Sequence, residues 1–205
     1  MHRSLSMNIR SRFLSHQMIS EVNQVVRNGV ILDPCDVFIN HRSLDTKTTV
    51  AAPLYDHLRR HAWLNLLYKS YFYHKSDKLF DKINRAILEC KIGLAVMSPR
   101  YCDSYFCLHE LALLMECKKK VIPIFVDIKP SQLRVINNKK WTLEDQRRFK
   151  LAIEEAKYTV GLTFNSLQGN FSGIVTSASD IIIESLIEFE DEEAQMHQYS
   201  YLPIS

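Results

Sequence analysis

The chain has 205 residues, of which 46% are hydrophobic, so it is long enough for one domain with a substantial core. Its net charge of +3 is small, and no stripe of Lys and Arg alternates with aromatic residues, which argues against nucleic acid as the main ligand. No apolar run approaches the roughly 18 residues of a membrane-spanning helix, so no membrane partner is expected.

The cysteines and the two chain ends bear on location and domain organisation. The five cysteines are odd in number and form no CxxC pair, which indicates reduced thiols in a cytoplasmic protein. Residues 1–20 contain three arginines, several serines and no acidic residue, a composition shared by transit peptides and flexible basic leaders. We interpret residues 1–32 as a flexible basic leader, residues 33–190 as one domain and residues 191–205 as a loose acidic and polar tail.

Short apolar runs alternate with amphipathic helical segments from residue 37 onward. The predicted strands are residues 37–39, 63–68, 92–97, 121–126 and 158–163. The predicted helices are residues 50–61, 78–89, the segment around Glu110, 144–156 and 176–188. This alternation predicts an α/β fold with a five-stranded parallel sheet and helices on both faces. The third strand, IGLAVM, is apolar throughout, as a strand covered on both faces requires.

The parallel sheet also predicts where a ligand site lies. In such sheets ligands bind beyond the carboxyl ends of the strands. Three loops meet there, and they are residues 40–46, 69–76 and 98–103. The helix that contains Glu110 begins directly after the third of these loops.

The segment SPRYCDSYFCLHELALLME, residues 98–116, places the carboxylate of Glu110 among apolar residues, where a charged group is unfavourable. Asp103 or Ser104 can cap a helix that begins here. Within this helix the residues three and four positions from Glu110 are all apolar, so Glu110 projects from a hydrophobic stripe. These neighbours are Phe106, Cys107, Leu113 and Leu114.

A carboxylate against apolar groups binds a proton more tightly and interacts strongly with any nearby cation. This setting suits general acid/base catalysis or the stabilisation of a positively charged transition state. The alternative is a glutamate at the rim of the core, whose stem packs while its carboxylate reaches water. Glu116, by contrast, has Lys119 and Lys120 among its neighbours and can be solvated or ion-paired.

Several other motifs are absent or weak. No GxGxxG or GxxxxGK[ST] phosphate loop occurs, and no GxSxG elbow of a serine hydrolase. His57 and His61 stand four residues apart but lack a matching acidic partner, so no metal site is predicted.

Three segments, taken in order, resemble the Toll/interleukin receptor (TIR) domain. They are CDVFINHRSLDTK, SPRYCDSYFCLHELALLME and KKVIPIFVDIKPSQLR. The resemblance covers residues 35–188 and looks most like the small plant proteins that contain a TIR domain and little else. It implies a flavodoxin-like fold, which agrees with the predicted strand count.

The resemblance also implies an activity. Plant TIR domains of this kind cleave NAD⁺ at the nicotinamide–ribose bond, and some close the remaining ADP-ribose into a cyclic isomer that serves as an immune signal. NAD⁺ is then a substrate, with no permanently bound cofactor and no metal. The implied partners are further TIR domains, including copies of the same chain, and other immune signalling proteins.

The family pattern implies roles for individual residues. The catalytic glutamate of the family matches Glu110, and the residues of the first loop line the nucleotide site. The implied binding residues are His41, Arg42, Ser43, Tyr73 and Phe106.

Two departures from the family pattern favour a second interpretation. Residues 42–44 read RSL where the family has Arg-Gly-Glu or Arg-Gly-Asp. In the loop 69–76, Lys69 stands at the position of an Asp, and Lys-Ser replaces Pro-Gly near the loop end. In the family this loop helps neighbouring subunits to complete the active site. The alternative is therefore a weak or inactive interaction module that signals by homotypic assembly. A more distant alternative is a nucleoside transferase on a related α/β fold.

Overall fold

A parallel sheet of five strands forms the centre of the computed structural model, which describes residues 36–61, 66–68 and 77–200. The strand order is β2-β1-β3-β4-β5, with parallel pairing throughout. This arrangement confirms the predicted flavodoxin-like sheet. The strands are β1 (Val37–His41), β2 (Leu66–Tyr68), β3 (Ile92–Met97), β4 (Lys120–Val126) and β5 (Leu162–Phe164).

Five helices cover the two faces of this sheet, as predicted. They are α1 (Ala52–His61), α2 (Asp77–Glu89), α3 (Tyr105–Glu116), α4 (Leu143–Tyr158) and α5 (Phe171–Ser200). One apolar cluster joins α2, α3 and α4 to one face, and a second joins α1 and α5 to the other. Short helical turns occupy the connections at Ser43–Thr46, Lys47–Ala51, Tyr101–Asp103 and Pro130–Gln132.

The central strands are apolar throughout because both of their faces are covered. In β3, Leu94 and Val96 pack towards α1 and α5, whereas Ala95 packs towards α2, α3 and α4. A Cβ atom at Gly93 would lie 2.7 Å from both δ carbons of Leu114. Glycine at this position therefore lets α3 approach β3 closely.

The fifth strand lies further along the chain than predicted. Residues 158–163 were expected to form it, but α4 continues to Tyr158 and β5 is Leu162–Phe164. Lys157 in the last turn of α4 favours this extension, because a cation interacts well with the carboxyl end of a helix. A Cβ atom at Gly161 would lie 2.4 Å from the carbonyl oxygen of Pro123, so the chain enters β5 in close contact with β4.

The last helix is much longer than predicted. The prediction was residues 176–188 followed by a loose tail from residue 191, but α5 runs from Phe171 to Ser200. The prediction of a loose tail is therefore wrong for residues 191–200. These residues include Glu, Ala, Gln and Met, which are strong helix formers, so the helix continues through the acidic stretch.

Some predictions concern residues that the structure does not describe. The predicted leader, residues 1–32, and Tyr73 lie outside the described ranges. So does the first part of the predicted second strand, of which Leu66–Tyr68 is observed. Among the described helices, none is both long and apolar enough to cross a membrane.

Candidate functional site

Helix α3 holds Glu110 in the interior of the protein. Ser104 caps the helix, because its hydroxyl accepts a hydrogen bond of 3.3 Å from the backbone N–H of Cys107. All eight residues from Cys107 to Leu114 are buried, and Glu110 is only 1% exposed. This burial excludes the alternative of a rim glutamate whose carboxylate reaches bulk water.

A buried polar clamp joins α3 to the end of β1 beside Glu110. The side-chain amide of Asn40 donates a 2.9 Å hydrogen bond to the carbonyl oxygen of Cys107. The hydroxyl of Tyr101 lies 2.9 Å from Oδ1 of Asn40 and 3.2 Å from the same carbonyl oxygen, and its single hydrogen is shared between these two acceptors. Cys107 precedes Glu110 by one helical turn, so the clamp fixes the part of α3 that presents the carboxylate.

The surroundings of Tyr101 keep its hydroxyl protonated. Burial, followed by the neighbouring Cys107 and Glu110, raises the pKa of Tyr101 well above its usual range. Tyr101 therefore stays a hydrogen-bond donor at all physiological pH values. The pattern of the sequence did not single out Asn40 or Tyr101. The available signal was their position at the carboxyl edge of the sheet, Asn40 at the end of β1 and Tyr101 in the turn after β3.

A second polar cluster surrounds Asp45 at the same edge of the sheet. Its carboxylate accepts hydrogen bonds from the hydroxyl of Ser98 at 2.7 Å and from the guanidinium groups of Arg100 at 2.9 Å and Arg42 at 3.3 Å. Burial raises the pKa of Asp45, but these hydrogen bonds and the two positive charges outweigh it and hold the pKa below its usual range. Asp45 thus binds Arg42 and Arg100, which belong to different loops. Arg100 and Asp45 were not among the predicted site residues.

The three predicted residues of the first loop have different surroundings. His41 is fully buried at the end of β1, with its Nδ1 3.5 Å from the hydroxyl of Thr46. Arg42 is bound to Asp45, and its buried Nε makes no hydrogen bond within the described part of the chain. Ser43 is exposed in the helical turn that follows. The structure therefore brings His41 and Arg42 to the carboxyl edge near Asn40, while Ser43 faces solvent.

Phe106 lies on the same face of α3 as Glu110, four residues earlier. Its ring is 49% exposed and contacts the edges of Phe80 and Tyr105, with ring centroids 6.2 and 6.0 Å apart. A half-exposed ring excludes a purely structural place in the core. The exposed part of the Phe106 ring is accessible at the start of α3.

Other parts of the described chain do not resemble a site for this chemistry. The ranges 36–61, 66–68 and 77–200 contain no group of three or more His, Cys, Asp or Glu side chains that could hold a metal ion. A cavity of about 630 Å³ lies at the opposite, amino edge of the sheet, between the end of α4, the middle of α5 and the start of β4. Because Glu110 and the Asp45 cluster lie elsewhere, this cavity is not part of the candidate site.

Comparisons with known proteins agree with this architecture. The TIR domain family model matches residues 37–158. The chain is 43% identical over 159 residues to "Probable 2' cyclic ADP-D-ribose synthase BdTIR" of Brachypodium distachyon, covering 76% of this chain and 70% of that protein. It is 34% identical over 110 residues to "TMV resistance protein N" of Nicotiana glutinosa, covering 48% of this chain and 9% of that protein.

A solved structure has the same fold. The TIR domains of the activated Roq1 resistosome, which recognises the effector XopQ, match with a TM-score of 0.62. That match covers 72% of this chain and 99% of the other, at 22% identity. At this identity the likeness concerns the fold alone.

Proposed function

Because the chain belongs to the TIR domain family, we propose that it is an NAD⁺ glycohydrolase that cleaves the nicotinamide–ribose bond. The products are nicotinamide and either ADP-ribose or a cyclic isomer of ADP-ribose. The observation that carries the proposal is Glu110, a carboxylate 1% exposed on α3 beside the carboxyl edge of the sheet. The 43% identical relative whose name is that of a cyclic ADP-ribose synthase supports the same reaction.

The chemistry requires a negative charge more than an acid. When the bond between ribose and nicotinamide breaks, its electron pair leaves with the neutral nicotinamide, and positive charge develops on the ribose. A carboxylate in a site of low dielectric stabilises that charge strongly, because water does not screen it. Electrostatic help of this kind contributes about 3–4 kcal/mol to lowering the barrier.

The product depends on which nucleophile captures the ribose. Water gives ADP-ribose and releases a proton, whereas a ribose hydroxyl of the same molecule gives a cyclic isomer and also releases a proton. Exclusion of water from the site favours the cyclic product. The burial of Glu110 and of the Asn40–Tyr101 clamp is the kind of environment that such exclusion requires.

The remaining predicted residues have roles in binding. We assign Arg42 to a phosphate of NAD⁺, since a guanidinium group pairs well with phosphate oxygens and its buried Nε has no hydrogen-bond partner among the described residues. Phe106 offers an exposed ring for stacking on the nicotinamide. His41, Ser43 and Tyr73 line the nucleotide site in this proposal. NAD⁺ is the substrate, and no resident cofactor or metal takes part.

The cellular role follows from the relatives. Several similar proteins are named disease resistance proteins, so we place this chain in plant immune signalling. It acts there as a cytoplasmic oligomer held by TIR–TIR contacts, with copies of itself and other TIR proteins as partners. Burial raises the pKa of the Cys102 thiol to about 11, so this thiol stays protonated at physiological pH.

A second candidate is an interaction module without turnover. The specific observation in its favour is Leu44, which is 81% exposed where the family has an acidic residue. An exposed leucine at that position suits a protein contact better than a nucleotide contact.

A single substitution separates the two candidates. We expect Glu110→Gln to reduce NAD⁺ cleavage about 10²–10³-fold, because the neutral amide cannot stabilise the cationic ribose. The measurement is NAD⁺ loss and product formation by mass spectrometry, at high protein concentration. The control is Glu116→Gln on the same helix, a carboxylate bound to Arg148 at 2.6 Å and remote from the clamp, which should keep turnover.

Circular dichroism and thermal unfolding establish that both variants are folded. Equal turnover by the parent and Glu110→Gln would refute the assignment of Glu110. No turnover by a folded and assembled parent would refute the enzyme and leave the interaction module.

A further inference from the structure

Two arginines that follow different strands meet at the carboxyl edge of the sheet. Arg42 comes directly after β1, and Arg100 lies in the turn after β3. A terminal nitrogen of each guanidinium group contacts the same atom, Oδ1 of Asp45, at 3.3 Å for Arg42 and at 2.9 Å for Arg100. The two guanidinium groups are therefore close neighbours at the edge where ligands bind in such sheets. We call Arg42 and Arg100 the arginine pair.

The arginine pair keeps hydrogen-bond donors that Asp45 does not use. A guanidinium group has five N–H donors, and Asp45 accepts from one terminal nitrogen of each arginine. The buried Nε of Arg42 makes no hydrogen bond within the described part of the chain. The side chain of Arg100 is 61% exposed and is therefore accessible to a ligand. The arginine pair can thus bind a further anion while it stays in contact with Asp45.

The local ion pairs do not by themselves explain Arg100. The two guanidinium groups share one bound carboxylate, whose second oxygen accepts from the uncharged hydroxyl of Ser98 at 2.7 Å. Asp103 also attracts Arg100 but forms no salt bridge with it among the described residues. An ion pair with so exposed an arginine adds little to the stability of a fold, because water screens it. A role in binding accounts for Arg100 better than a role in stability.

The turn that contains Arg100 also holds the helix of Glu110. The backbone N–H of Tyr101 donates to the carbonyl oxygen of Ser98 at 3.0 Å, so Arg100 lies inside a hydrogen-bonded turn. The hydroxyl of Tyr101 belongs to the clamp on α3, one helical turn before Glu110. Arg100 and Glu110 therefore have a fixed relative position.

The structure of NAD⁺ requires an anion site near the site of cleavage. Only one CH₂ group and one oxygen atom separate the nicotinamide-bearing ribose from the nearer phosphate. A protein that stabilises charge on this ribose must therefore accommodate the diphosphate close by. Guanidinium groups bind phosphate oxygens through paired hydrogen bonds, and two adjacent guanidinium groups match two adjacent phosphates. A lone carboxylate or a single phosphate would need only one of the two arginines.

We propose that Arg100 is a second diphosphate-binding residue, which together with Arg42 holds the two phosphates of NAD⁺ at the carboxyl edge of the sheet. The proposal rests on the function proposed above, because it adds a residue to the same substrate site. Arg42 comes from the loop after β1 and Arg100 from the turn after β3, so the diphosphate lies across the ends of these two adjacent strands.

The first test is the binding of ADP-ribose, which keeps the diphosphate but has no nicotinamide to lose. Isothermal titration calorimetry on the full chain measures it. We expect Arg100→Gln to raise the dissociation constant of ADP-ribose about tenfold, because a charge-assisted hydrogen bond to phosphate is lost. Adenosine has no phosphate, so its dissociation constant should be the same for the parent and the variant.

The second test separates phosphate binding from an indirect effect on Glu110. We expect Arg100→Gln to raise the KM for NAD⁺ about tenfold and to leave kcat within about twofold, since the phosphates are held equally before and during cleavage. Nicotinamide riboside contains the same scissile bond but no phosphate, so the parent and the variant should cleave it equally slowly. A displaced Glu110 would instead lower kcat for both substrates.

The matched control is Arg59→Gln, which removes an exposed positive charge on α1 and should bind ADP-ribose as the parent does. Thermal unfolding monitored by circular dichroism establishes that both variants are folded. An unchanged dissociation constant for ADP-ribose in Arg100→Gln would overturn the proposal, and so would an equal weakening of adenosine binding or a loss of kcat for both substrates.

The outcomes also separate this proposal from the proposed function. Cleavage of NAD⁺ by the parent, with ADP-ribose binding unaffected by Arg100→Gln, would overturn the role of Arg100 and leave the glycohydrolase in place. Binding of ADP-ribose that depends on Arg100, without NAD⁺ cleavage by the parent, would support the diphosphate site and refute the glycohydrolase.

Discussion

Tyr101 shows how a single buried hydroxyl ties two elements of the candidate site together. Its oxygen contacts Asn40 at the end of β1 and the carbonyl of Cys107 on α3. A buried hydrogen-bonding group that loses its partner costs more than the hydrogen bond itself contributes, because the remaining group stays desolvated. The clamp is therefore sensitive to the loss of one atom.

We expect Tyr101→Phe to lower the free energy of unfolding by about 1–3 kcal/mol, since Oδ1 of Asn40 would keep its burial but lose its donor. Urea unfolding monitored by circular dichroism measures this change. Tyr158→Phe is the control, because the side chain of Tyr158 is exposed, and it should change stability by less than about 0.5 kcal/mol. Similar values for both variants would contradict the role of the clamp.

Asp45 predicts a pH dependence of stability. Its folded-state pKa lies below the ordinary value of about 3.9, so its contribution to stability is complete above that value. The contribution is lost as the pH falls through the folded-state pKa. We expect Asp45→Asn to destabilise the protein by about 1 kcal/mol at neutral pH and by much less at about pH 3. Thermal unfolding at both pH values measures the difference.

The exposed Asp56 on α1 supplies the comparison for this experiment. Asp56→Asn should leave the dependence of stability on pH as it is in the parent. A destabilisation by Asp45→Asn that is equal at both pH values would show that the arginines and Ser98 do not favour the charged carboxylate.

At the scale of the element, α3 is defined by its two ends. Ser104 caps the first turn, and the helix closes with hydrogen bonds from Lys118 to Met115 and from Lys119 to Leu114. Lys118 has a φ of 53°, the left-handed conformation that this closure needs and that glycine adopts most easily. The backbone at Lys118, directly after the helix that carries Glu110, is therefore strained, and a glycine at this position would relieve the strain.

We expect Lys118→Gly to raise the free energy of unfolding by about 0.5–1 kcal/mol, because glycine pays no steric cost at positive φ. Asp127 has a similar φ of 55°, but its carboxylate accepts two hydrogen bonds of 2.7 Å from Ser166. Asp127→Gly should therefore destabilise the protein despite the same backbone conformation. Chemical unfolding of the two variants gives the comparison, and a destabilised Lys118→Gly would refute the explanation by strain.

The elements differ in how far the sequence predicted them. The third strand was predicted at its exact bounds, because six consecutive apolar residues admit few other structures. The fifth strand was misplaced because Tyr158 and Val160 favour strands locally, while the packing of α4 and β4 decides the outcome. The C-terminal part of α5 was missed because its acidic residues resemble those of a solvated tail.

The site was predicted in part for a similar reason. The burial of Glu110 followed from its own helical neighbours, which a local pattern contains. The clamp joins Tyr101 to Asn40 across 61 positions, and Asp45 joins Arg100 across 55. Contacts at such separations arise from the strand order, which brings β1 next to β3, and no local pattern records them.

At the scale of the whole molecule, exposed cations are concentrated around the start of α4 and exposed carboxylates along α5. The cations are Arg134, Lys139, Lys140, Arg147 and Lys150, the carboxylates are Asp180, Glu184, Glu188 and Asp191, and the two helices pack on opposite faces of the sheet. A nearly neutral protein with such a distribution has a large dipole, so its self-association should depend on ionic strength far more than its net charge suggests. The stability of the isolated domain should depend on ionic strength much less.

The short fifth strand has a consequence for how copies can join. It pairs with β4 only from Ile124 onward, so residues 120–123 of β4 have no paired strand on that side within the described part of the chain. The carbonyl oxygen of Pro123 points towards Gly161 on that open side, where proline offers no N–H to an added strand. Lys120, the exposed first residue of β4, places a charged side chain at the beginning of the same edge, which disfavours the pairing of another strand there. This edge of the sheet therefore resists backbone pairing between molecules, which protects it from cross-β aggregation.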